Sequence, residues 1–336
     1  MTIGGERRRI LVVGCGSIGK RHIGNLLRLD AGEILACDVR EERRGEVEER
    51  WGIETFGNLS TALEQRPDAV LVAVPPSFHI PVALEAAERG CHLFIEKPLA
   101  AGMEQVGDLI DRVKRRGLTA LVGCNMRFHP GLLRVKELLD AATIGAVLSA
   151  RAEFGQYLPD WHPYEDYRAG YSARRDLGGG IILDAIHEVD YLRWLAGEMQ
   201  SVACFAGRLS ALEIETEDTA ALLVRFANGA IGEIHVDYVQ RAYSRKAEIV
   251  GEKGTILWDY AAREVRWYSA ADRRWRAACD AADWEPNDMY LDEMRHFLRC
   301  LDGAEAPALD LANAKRVLEI ALAAKTAAED RRIVEL

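Results

Sequence analysis

Residues 9–29 read RILVVGCGSIGKRHIGNLLRL, and this stretch determines how the N-terminal part of the chain folds. The apolar run at 9–13 is typical of a short buried strand, and residues 17–29 carry apolar side chains at helical spacing. Between them, Gly14, Gly16 and Gly19 fit the pattern G-x-G-x-x-G. Glycine at these positions allows a tight turn, a close approach of the backbone to a phosphate and close packing of helix on strand. The order strand, glycine turn, helix therefore predicts a dinucleotide-binding crossover; the alternative is a glycine turn with no ligand.

The same alternation of apolar runs and helical stretches continues to about residue 125. Further strand-like runs occur at residues 33–37, 69–74, 92–95 and 120–123. Short strands that alternate with helices are typical of a parallel sheet with right-handed crossovers. We therefore predict a doubly wound parallel sheet in an N-terminal domain of residues 1–125.

The pattern changes after residue 125. Residues 201–276 read mostly as strands with period-two alternation, and Asn228-Gly229 predicts a hairpin turn within them. Gly178-Gly179-Gly180 leads into a predicted amphipathic helix at 181–195, and the tail reads as two more helices. The predicted fold class is α/β, with a second α+β domain of residues 126–336 that has a large, mostly antiparallel open sheet. We expect the C-terminal helix to pack back on the first domain.

Composition excludes several classes of function. The chain has 336 residues and a formal net charge of -10, so that it repels phosphate backbones and nucleic acid is not an expected partner. No run approaches the ~18 apolar residues that cross a bilayer, and the apolar run after Arg7-Arg8-Arg9 is too short for a signal peptide. Seven cysteines occur without a CxxC pair. We expect reduced thiols in a cytoplasmic protein, with no membrane partner and no metal site.

Asp38 lies at the end of the second predicted strand, 24 residues after Gly14. A carboxylate at this point suits a hydrogen bond to a ribose 2′-hydroxyl, which favours NAD. Arg40 and Arg43 follow closely, and an arginine there can accept the 2′-phosphate of NADP. Because Asp38, Glu41 and Glu42 disfavour that phosphate, we predict NAD rather than NADP.

Glu96-Lys97-Pro98 follows the strand-like run at 92–95. The carboxyl ends of strands in a doubly wound sheet face the cofactor crevice, so Lys97 is predicted to lie at the reactive centre. A lysine there can protonate or hydrogen-bond a carbonyl or alkoxide oxygen. The residues alone leave an ordinary surface lysine as an equal alternative.

Asp184 and His187 form a second candidate pair on the helix that follows the triple glycine. Residues three apart lie on neighbouring faces of a helix, so both side chains can point at one cleft. Imidazole can take a hydroxyl proton at neutral pH, and a neighbouring carboxylate can orient the ring. Asp190, one turn further on, is an alternative partner for His187. The other interpretation is a capped helix with a structural histidine.

An aromatic loop at residues 157–177 contains Trp161, Tyr164 and Tyr171. Tyrosine and tryptophan combine an apolar face with a polar tip, which suits a sugar ring or a nucleotide. Packing of each residue on the domain or on a second subunit is an equal alternative.

Taken together, these motifs resemble the glucose–fructose oxidoreductase / inositol dehydrogenase / MocA superfamily. The matching pieces are residues 14–19, Val74-Pro75-Pro76 with His79, Glu96-Lys97-Pro98, Asn125-Met126-Arg127-Phe128-His129-Pro130 and residues 178–190. The resemblance implies an N-terminal Rossmann domain, a C-terminal domain with an open sheet, and hydride exchange at a sugar or polyol carbon. It also implies that Lys97 and His187 are catalytic, that Asp184 is the carboxylate partner of His187, and that Glu96 lies near the nicotinamide ribose.

One departure from the family pattern concerns Asp184. The family separates the carboxylate and the histidine by four positions, whereas the separation here is three. The short spacing is similar to a subgroup associated with surface-polysaccharide or nonulosonate sugar pathways.

The candidate residues fall into three groups. The catalytic candidates are Lys97, His187 and Asp184. The cofactor-binding candidates are Gly14, Gly16, Ser17, Ile18, Gly19, Asp38, Arg40, Val74, Pro75, His79, Glu96, Lys97 and Asn125. The substrate-binding candidates are Arg127, Trp161, Tyr164, Tyr171, Asp184 and His187.

The leading functional hypothesis is an NAD(P)-dependent dehydrogenase or reductase that acts on a sugar, polyol or nucleotide-sugar. One alternative keeps the cofactor but returns the hydride, as in an epimerase, lyase or glycosidase that recycles NAD. A second is a non-catalytic NAD-binding sugar sensor, which the presence of both Lys97 and His187 disfavours. An open sheet with one uncovered face normally needs a partner, so we expect a homodimer or homotetramer.

Overall fold

The computed structural model of the chain describes residues 2–3, 6–163, 165–280 and 284–336. The strands are, in chain order, β1 (Thr2–Ile3), β2 (Glu6–Arg7), β3 (Arg9–Val13), β4 (Glu33–Cys37), β5 (Thr55–Phe56), β6 (Ala69–Val72), β7 (His92–Glu96), β8 (Ala120–Gly123), β9 (Val147–Gly155), β10 (Met199–Gly207), β11 (Thr219–Phe226), β12 (Ile231–Asp237), β13 (Ser244–Gly251), β14 (Gly254–Asp259), β15 (Glu264–Ser269), β16 (Arg274–Asp280) and β17 (Val334–Glu335). The helices are α1 (Ser17–Arg28), α2 (Glu41–Trp51), α3 (Leu59–Leu63), α4 (His79–Glu88), α5 (Val106–Arg115), α6 (Pro130–Asp140), α7 (Ile181–Asp184), α8 (Ile186–Ala196), α9 (Asp288–Leu301) and α10 (Leu311–Asp330).

The chain divides into two units. Residues 1–125 and 286–315 form the first, and residues 126–285 and 316–336 form the second. The predicted domain boundary at residue 125 coincides with a boundary between the units. Residues 286–315, which we placed in the second domain, belong to the first unit, because Met294 and Phe297 of α9 pack into its hydrophobic core.

The core of the first unit is a six-stranded parallel sheet in the order β5-β4-β3-β6-β7-β8. The predicted doubly wound parallel sheet is therefore confirmed. The strand order reverses on either side of β3, and in such sheets the ligand crevice lies outside the carboxyl ends of the strands at this reversal. The glycine turn follows β3 and residues 74–75 follow β6, so both lie at that edge.

The second unit contains a nine-stranded sheet in the order β16-β15-β14-β13-β9-β12-β11-β10-β17. β9 and β12 pair in parallel, and the other neighbours are antiparallel. The predicted hairpin is present: β11 pairs with β12 around Asn228-Gly229, and Gly229 has a φ of +87°. The mostly antiparallel sheet predicted for this part of the chain is confirmed.

The helix predicted at 181–195 is wrong in one respect, because it is two helices. α7 ends at Asp184, and α8 begins at Ile186. Ala185 lies between them with φ -90° and ψ 32°, and the N–H of Glu188 then donates to the carbonyl of Ala185 in a tight i to i+3 bond. Asp184 and His187 therefore lie on different helices. The segment is also buried almost throughout and is not amphipathic.

Across the described ranges of the chain, no helix combines the length and the apolar character that a membrane crossing requires.

Candidate active site

The glycine turn after β3 is shaped by close backbone contacts. Gly14 has a φ of +99°, and a Cβ there would lie 2.4 Å from the carbonyl oxygen of Ala73. A Cβ on Gly19 would lie 1.8 Å from the carbonyl oxygen of Gly14. Both positions therefore require glycine, because a side chain would collide with backbone that cannot move aside.

The space over Gly16 is open by comparison. The nearest atom to a Cβ there is Nη1 of Arg43, at 3.6 Å. α1 begins at the exposed Ser17, with Ile18 half-buried behind it, and no side chain caps its first N–H groups. Uncapped N–H groups at a helix N-terminus attract phosphate. The turn therefore fits the pyrophosphate of a dinucleotide, which the open space over Gly16 can admit.

Asp38 follows β4 and its carboxylate is buried. Its Oδ2 accepts a hydrogen bond from the N–H of Cys15 at 2.7 Å, and its Oδ1 accepts one from the N–H of Arg40 at 2.9 Å. Nη1 of Arg43 approaches Oδ2 at 3.8 Å. A carboxylate has about four acceptor positions, so two backbone bonds leave it able to accept ribose hydroxyls. The side chain of Arg40 is exposed.

Val74 and Pro75 follow β6 and are half-buried, whereas His79 is 1% exposed. The Nε2 atom of His79 lies 2.8 Å from the carbonyl oxygen of Val74, and its Nδ1 lies 2.8 Å from that of Pro98. Burial lowers the pKa of His79, and the effect of the two carbonyls does not reverse this. The ring lies between the loops after β6 and β7, where a neutral imidazole can donate to only one of the two carbonyls, and it presents little surface to a cofactor.

Glu96 and Lys97 lie at the carboxyl end of β7. Glu96 is buried: its Oε1 lies 2.6 Å from Nε2 of His22, and its Oε2 accepts the N–H of Lys97 at 3.1 Å. Lys97 is half-buried, and the Lys97–Pro98 peptide bond is cis. Asn125, the last candidate of this unit, is 5% exposed.

Asp184 is 4% exposed in the second unit, and three hydroxyl groups donate to it. Tyr171 donates to Oδ1, while Ser172 and Tyr238 donate to Oδ2 at 2.6 Å and 3.0 Å. Burial, followed by the charge of Asp184, raises the pKa of Tyr238 well above its ordinary value, so that its hydroxyl stays a donor. A buried carboxylate with three donors is well satisfied.

Two ion pairs flank His187 on α8. Nε and Nη2 of Arg127 donate to the two oxygens of Asp190, each at 2.8 Å, and Nε of Arg245 lies 2.9 Å from Oε1 of Glu188. Both carboxylates are 0% exposed. Both oxygens of Asp190, the alternative partner for His187, thus accept hydrogen bonds from one arginine. The paired arginines fix the helix that carries His187, which is 8% exposed.

The aromatic loop gives a mixed result. Trp161 is half-buried, packs edge-on against Phe154 and Tyr238, and donates its indole N–H to the carbonyl of Gln156 at 3.2 Å. Its polar tip is therefore used within the loop. Tyr171 is half-buried and tied to Asp184. Tyr164 lies outside the described residues.

Within the described part of the chain, no group of three or more His, Cys, Asp and Glu side chains is arranged to hold a metal ion.

Comparison with known proteins identifies the family. Residues 8–124 match the oxidoreductase family model with an NAD-binding Rossmann fold, and residues 132–257 match the GFO/IDH/MocA C-terminal domain. A myo-inositol 2-dehydrogenase from Thermotoga maritima is 32% identical over 98% of this chain and 98% of its own length. The chain belongs to the GFO/IDH/MocA oxidoreductase family.

Other members of this family extend the comparison. A scyllo-inositol 2-dehydrogenase (NAD(+)) from Bacillus subtilis is 27% identical over 98% of this chain and 96% of its own length. The crystal structure of the WlbA dehydrogenase from Bordetella pertussis, in complex with NADH and UDP-GlcNAcA, superposes with a TM-score of 0.87 at 26% identity and covers 100% of this chain and 99% of that one. As a member of the GFO/IDH/MocA family, this chain is an NAD(P)-dependent oxidoreductase that acts on CH–OH groups.

Sequence reasoning missed the partners that hold the family's site residues in place. They are His22 for Glu96, Ser172 and Tyr238 for Asp184, and Arg245 for Glu188. His22 and Glu96 are 74 residues apart, and no local pattern pairs them. The alternating pattern at 201–276 assigns Tyr238 no partner, although a buried tyrosine hydroxyl needs one.

Proposed function

We propose that this enzyme oxidises one hydroxyl-bearing carbon of an uncharged polyol or sugar, with NAD as the hydride acceptor. Lys97 hydrogen-bonds the reacting oxygen and takes up or returns its proton. His187 is the acid–base partner. Asp184 lies three residues before it in the chain, and three hydroxyl groups hold its carboxylate in place. Positioned acid–base groups contribute ~10²–10⁴ in rate.

The proposal of an uncharged substrate rests on the ion pairs made by the arginines of the loop at residues 166–176. Arg168 donates to Asp166 at 2.8 Å and to Glu213 at 2.9 Å, and Arg174 donates to Asp176 at 2.6 Å. These hydrogen bonds raise the pKa of both arginines. Arginines that are already paired with carboxylates, here Asp166 and Asp176 of the same loop and Glu213, are poor ligands for a diphosphate. The two inositol dehydrogenases among the relatives act on uncharged polyols and support the same class.

A nucleotide-sugar is the second candidate. It is supported by the WlbA dehydrogenase, whose structure holds UDP-GlcNAcA and whose fold covers the whole of this chain.

The test follows NADH absorbance with inositols, free aldoses and UDP-sugars in parallel, for the wild type, Lys97→Met and the matched control Lys114→Met on α5. We expect turnover of an inositol or aldose, a fall of about 10²–10⁴ in kcat for Lys97→Met, and no change for Lys114→Met. Turnover of UDP-sugars alone would assign the second candidate. Full activity of Lys97→Met would refute the role of Lys97, and NADH binding by that variant would show that it is folded.

We also propose that the chain forms a homodimer or homotetramer through the exposed face of the nine-stranded sheet, and that it works in the cytoplasm. Arg151 and Glu153 of β9 project from this face beside Glu233 and Lys246 of the neighbouring strands. Nε of Arg151 lies 3.1 Å from Oε2 of Glu233, and Nζ of Lys246 lies 3.7 Å from Oε1 of Glu153. A patch in which both signs of charge alternate can be complementary to itself, as a two-fold interface requires. The free thiols support a reducing compartment.

A further inference from the structure

His22 links α1 to the end of β7 in the first unit. It lies one turn beyond the glycine turn and is 0% exposed. Its Nε2 is 2.6 Å from Oε1 of Glu96, and the other oxygen of Glu96 accepts the N–H of Lys97 at 3.1 Å. The backbone of Lys97 is therefore joined to α1 through two hydrogen bonds that share one carboxylate.

The pocket around this carboxylate is closely packed. The ring of His22 meets Phe94 edge-on at 5.1 Å, and Phe94 meets Phe297 of α9 at 5.5 Å. At the end of β8, a Cβ on Gly123 would lie 2.8 Å from Cζ of Phe94 and 3.4 Å from Oε1 of Glu96. Glycine at this position leaves the space that the phenyl ring and the carboxylate fill.

The ring nitrogens of His22 have different surroundings. Nε2 faces Glu96, whereas Nδ1 is buried and has no hydrogen-bond partner among the residues that the structure describes. A buried N–H without an acceptor is costly, whereas a bare ring nitrogen costs less. We therefore expect one ring proton, on Nε2, which donates to Glu96.

Several titratable or charged groups surround the pair formed by His22 and Glu96. The titratable or charged groups that face it are Arg21 and His22 of α1, His79 of α4, Lys97, and Tyr290 and Glu293 of α9. Glu293 is 0% exposed, and its oxygens have no hydrogen-bond partner in the described ranges. Burial, followed by the charge of Glu96, raises the pKa of Glu293 well above its ordinary value. Both effects favour the uncharged form of Glu293.

We propose that His22 is a positioning residue for the Glu96–Lys97 pair: its Nε2–H holds the Glu96 carboxylate, which in turn fixes the backbone of Lys97. This inference rests on the role proposed for Lys97. Loss of the donor removes the hydrogen bond that holds the Glu96 carboxylate in place. The hydride-transfer step then loses both the orientation of Lys97 and the fixed position of the carboxylate on the adjacent residue.

The first test compares His22→Phe, which keeps a ring against Phe94, with His22→Gln, which restores an N–H donor. For His22→Phe we expect kcat to fall about 10- to 100-fold while KM and the Kd of NADH change less than about threefold. The acid limb of the kcat profile should move to higher pH. His22→Gln should recover most of the loss. His92→Phe, at the other end of β7, removes an acceptor for the N–H of Thr119 and should leave the pH profile unchanged.

The second test needs no substrate. ¹⁵N spectra of histidine-labelled protein should show His22 as the neutral Nε2–H tautomer at pH 7, with a changed signal in Glu96→Gln. An Nδ1–H tautomer, or a pH profile unaltered by His22→Phe, would overturn the inference. If Lys97→Met also retains activity, the proposed function has failed; if only the His22 variants behave as wild type, the positioning role has failed. If His22→Phe does not fold, the activity of His22→Gln and the ¹⁵N spectra still test the positioning role of His22.

Discussion

At the scale of single residues, Asp38 combines a structural and a selective role. Its two oxygens hold the N–H groups of Cys15 and Arg40, which fixes the glycine turn against the loop after β4. Its charge also stands where the 2′-phosphate of NADP would have to lie. Arg43 is 3.8 Å away and attracts that phosphate. We propose that the balance between this carboxylate and this guanidinium determines which dinucleotide binds more tightly.

Asp38→Asn tests this balance, because asparagine keeps one acceptor oxygen and removes the charge. We expect the ratio of the NADPH Kd to the NADH Kd to fall by roughly 10- to 100-fold, the value of one or two charge-assisted hydrogen bonds. Titration of nicotinamide fluorescence measures both constants without a substrate. Adding Arg43→Ala should cancel the gain in NADPH affinity. An unchanged ratio in Asp38→Asn would contradict the selective role.

Asp184 shows which part of the site local spacing could not predict. The sequence predicts a carboxylate and a histidine on one helix, and the structure shows both residues buried. The partners of Asp184 are Tyr171 and Ser172 on the preceding loop and Tyr238, which directly follows β12. A spacing of three defines an angle only while the helix continues, and here it stops at Ala185. Long-range hydrogen bonds leave no periodic signal in the chain.

At the scale of secondary-structure elements, His129 caps α6. Its Nδ1 accepts the N–H of Gly131 at 3.0 Å, and its ring packs against Trp258 and Trp284 at 5.1 Å and 4.5 Å. Burial, followed by the charge of Arg245, lowers the pKa of His129 to about 3. The folded chain thus keeps this ring neutral at pH values where the unfolded chain protonates it.

This difference predicts an acid-dependent loss of stability. Between the ordinary histidine pKa of 6.5 and about 3, the unfolded chain binds one more proton, so the free energy of unfolding falls by up to ~1.4 kcal/mol for each pH unit lost. His129→Asn keeps an N-cap acceptor and removes the titration. Urea unfolding at pH 4 to 8 should show the variant less stable than wild type at pH 7, with the gap narrowing toward pH 4. Parallel curves for the two proteins would contradict the shift.

The strands and the hairpin that the sequence predicted correctly are those whose own residues form a recognisable pattern. The strands of the parallel sheet are short apolar runs bounded by turns, and the 228–229 hairpin has its own turn residues. The assignment of α9 to the first unit had no such signal. Its apolar face carries Met294 and Phe297, but an apolar stripe predicts only that a helix packs on something. Which core it joins is determined by residues more than 170 positions earlier.

At the scale of the whole molecule, the open sheet of the second unit is the surface through which we propose that the chain assembles. Its buried face carries small, aliphatic and aromatic side chains, while the opposite face exposes charged side chains together with Leu223 (54% exposed) and Phe205 (84% exposed). Exposed apolar side chains beside alternating charges are typical of an interface that is covered in the assembled protein. A two-fold axis through this face would bring each Arg151 toward the acidic residues of a second copy.

Leu223→Arg tests this arrangement, because it adds a charge to the exposed face and leaves the buried face intact. We expect light scattering to report a dimer or tetramer for the wild type and a monomer for the variant, since a buried unpaired charge costs more than one apolar contact contributes. Leu133→Arg is the matched control: Leu133 is 42% exposed on α6, away from the sheet face, and its variant should keep the wild-type mass. A Leu223→Arg protein that stays oligomeric would place the interface elsewhere. A monomeric wild type would refute the proposed interface, because the charged side chains would then be sufficient to keep this face of the sheet exposed to water.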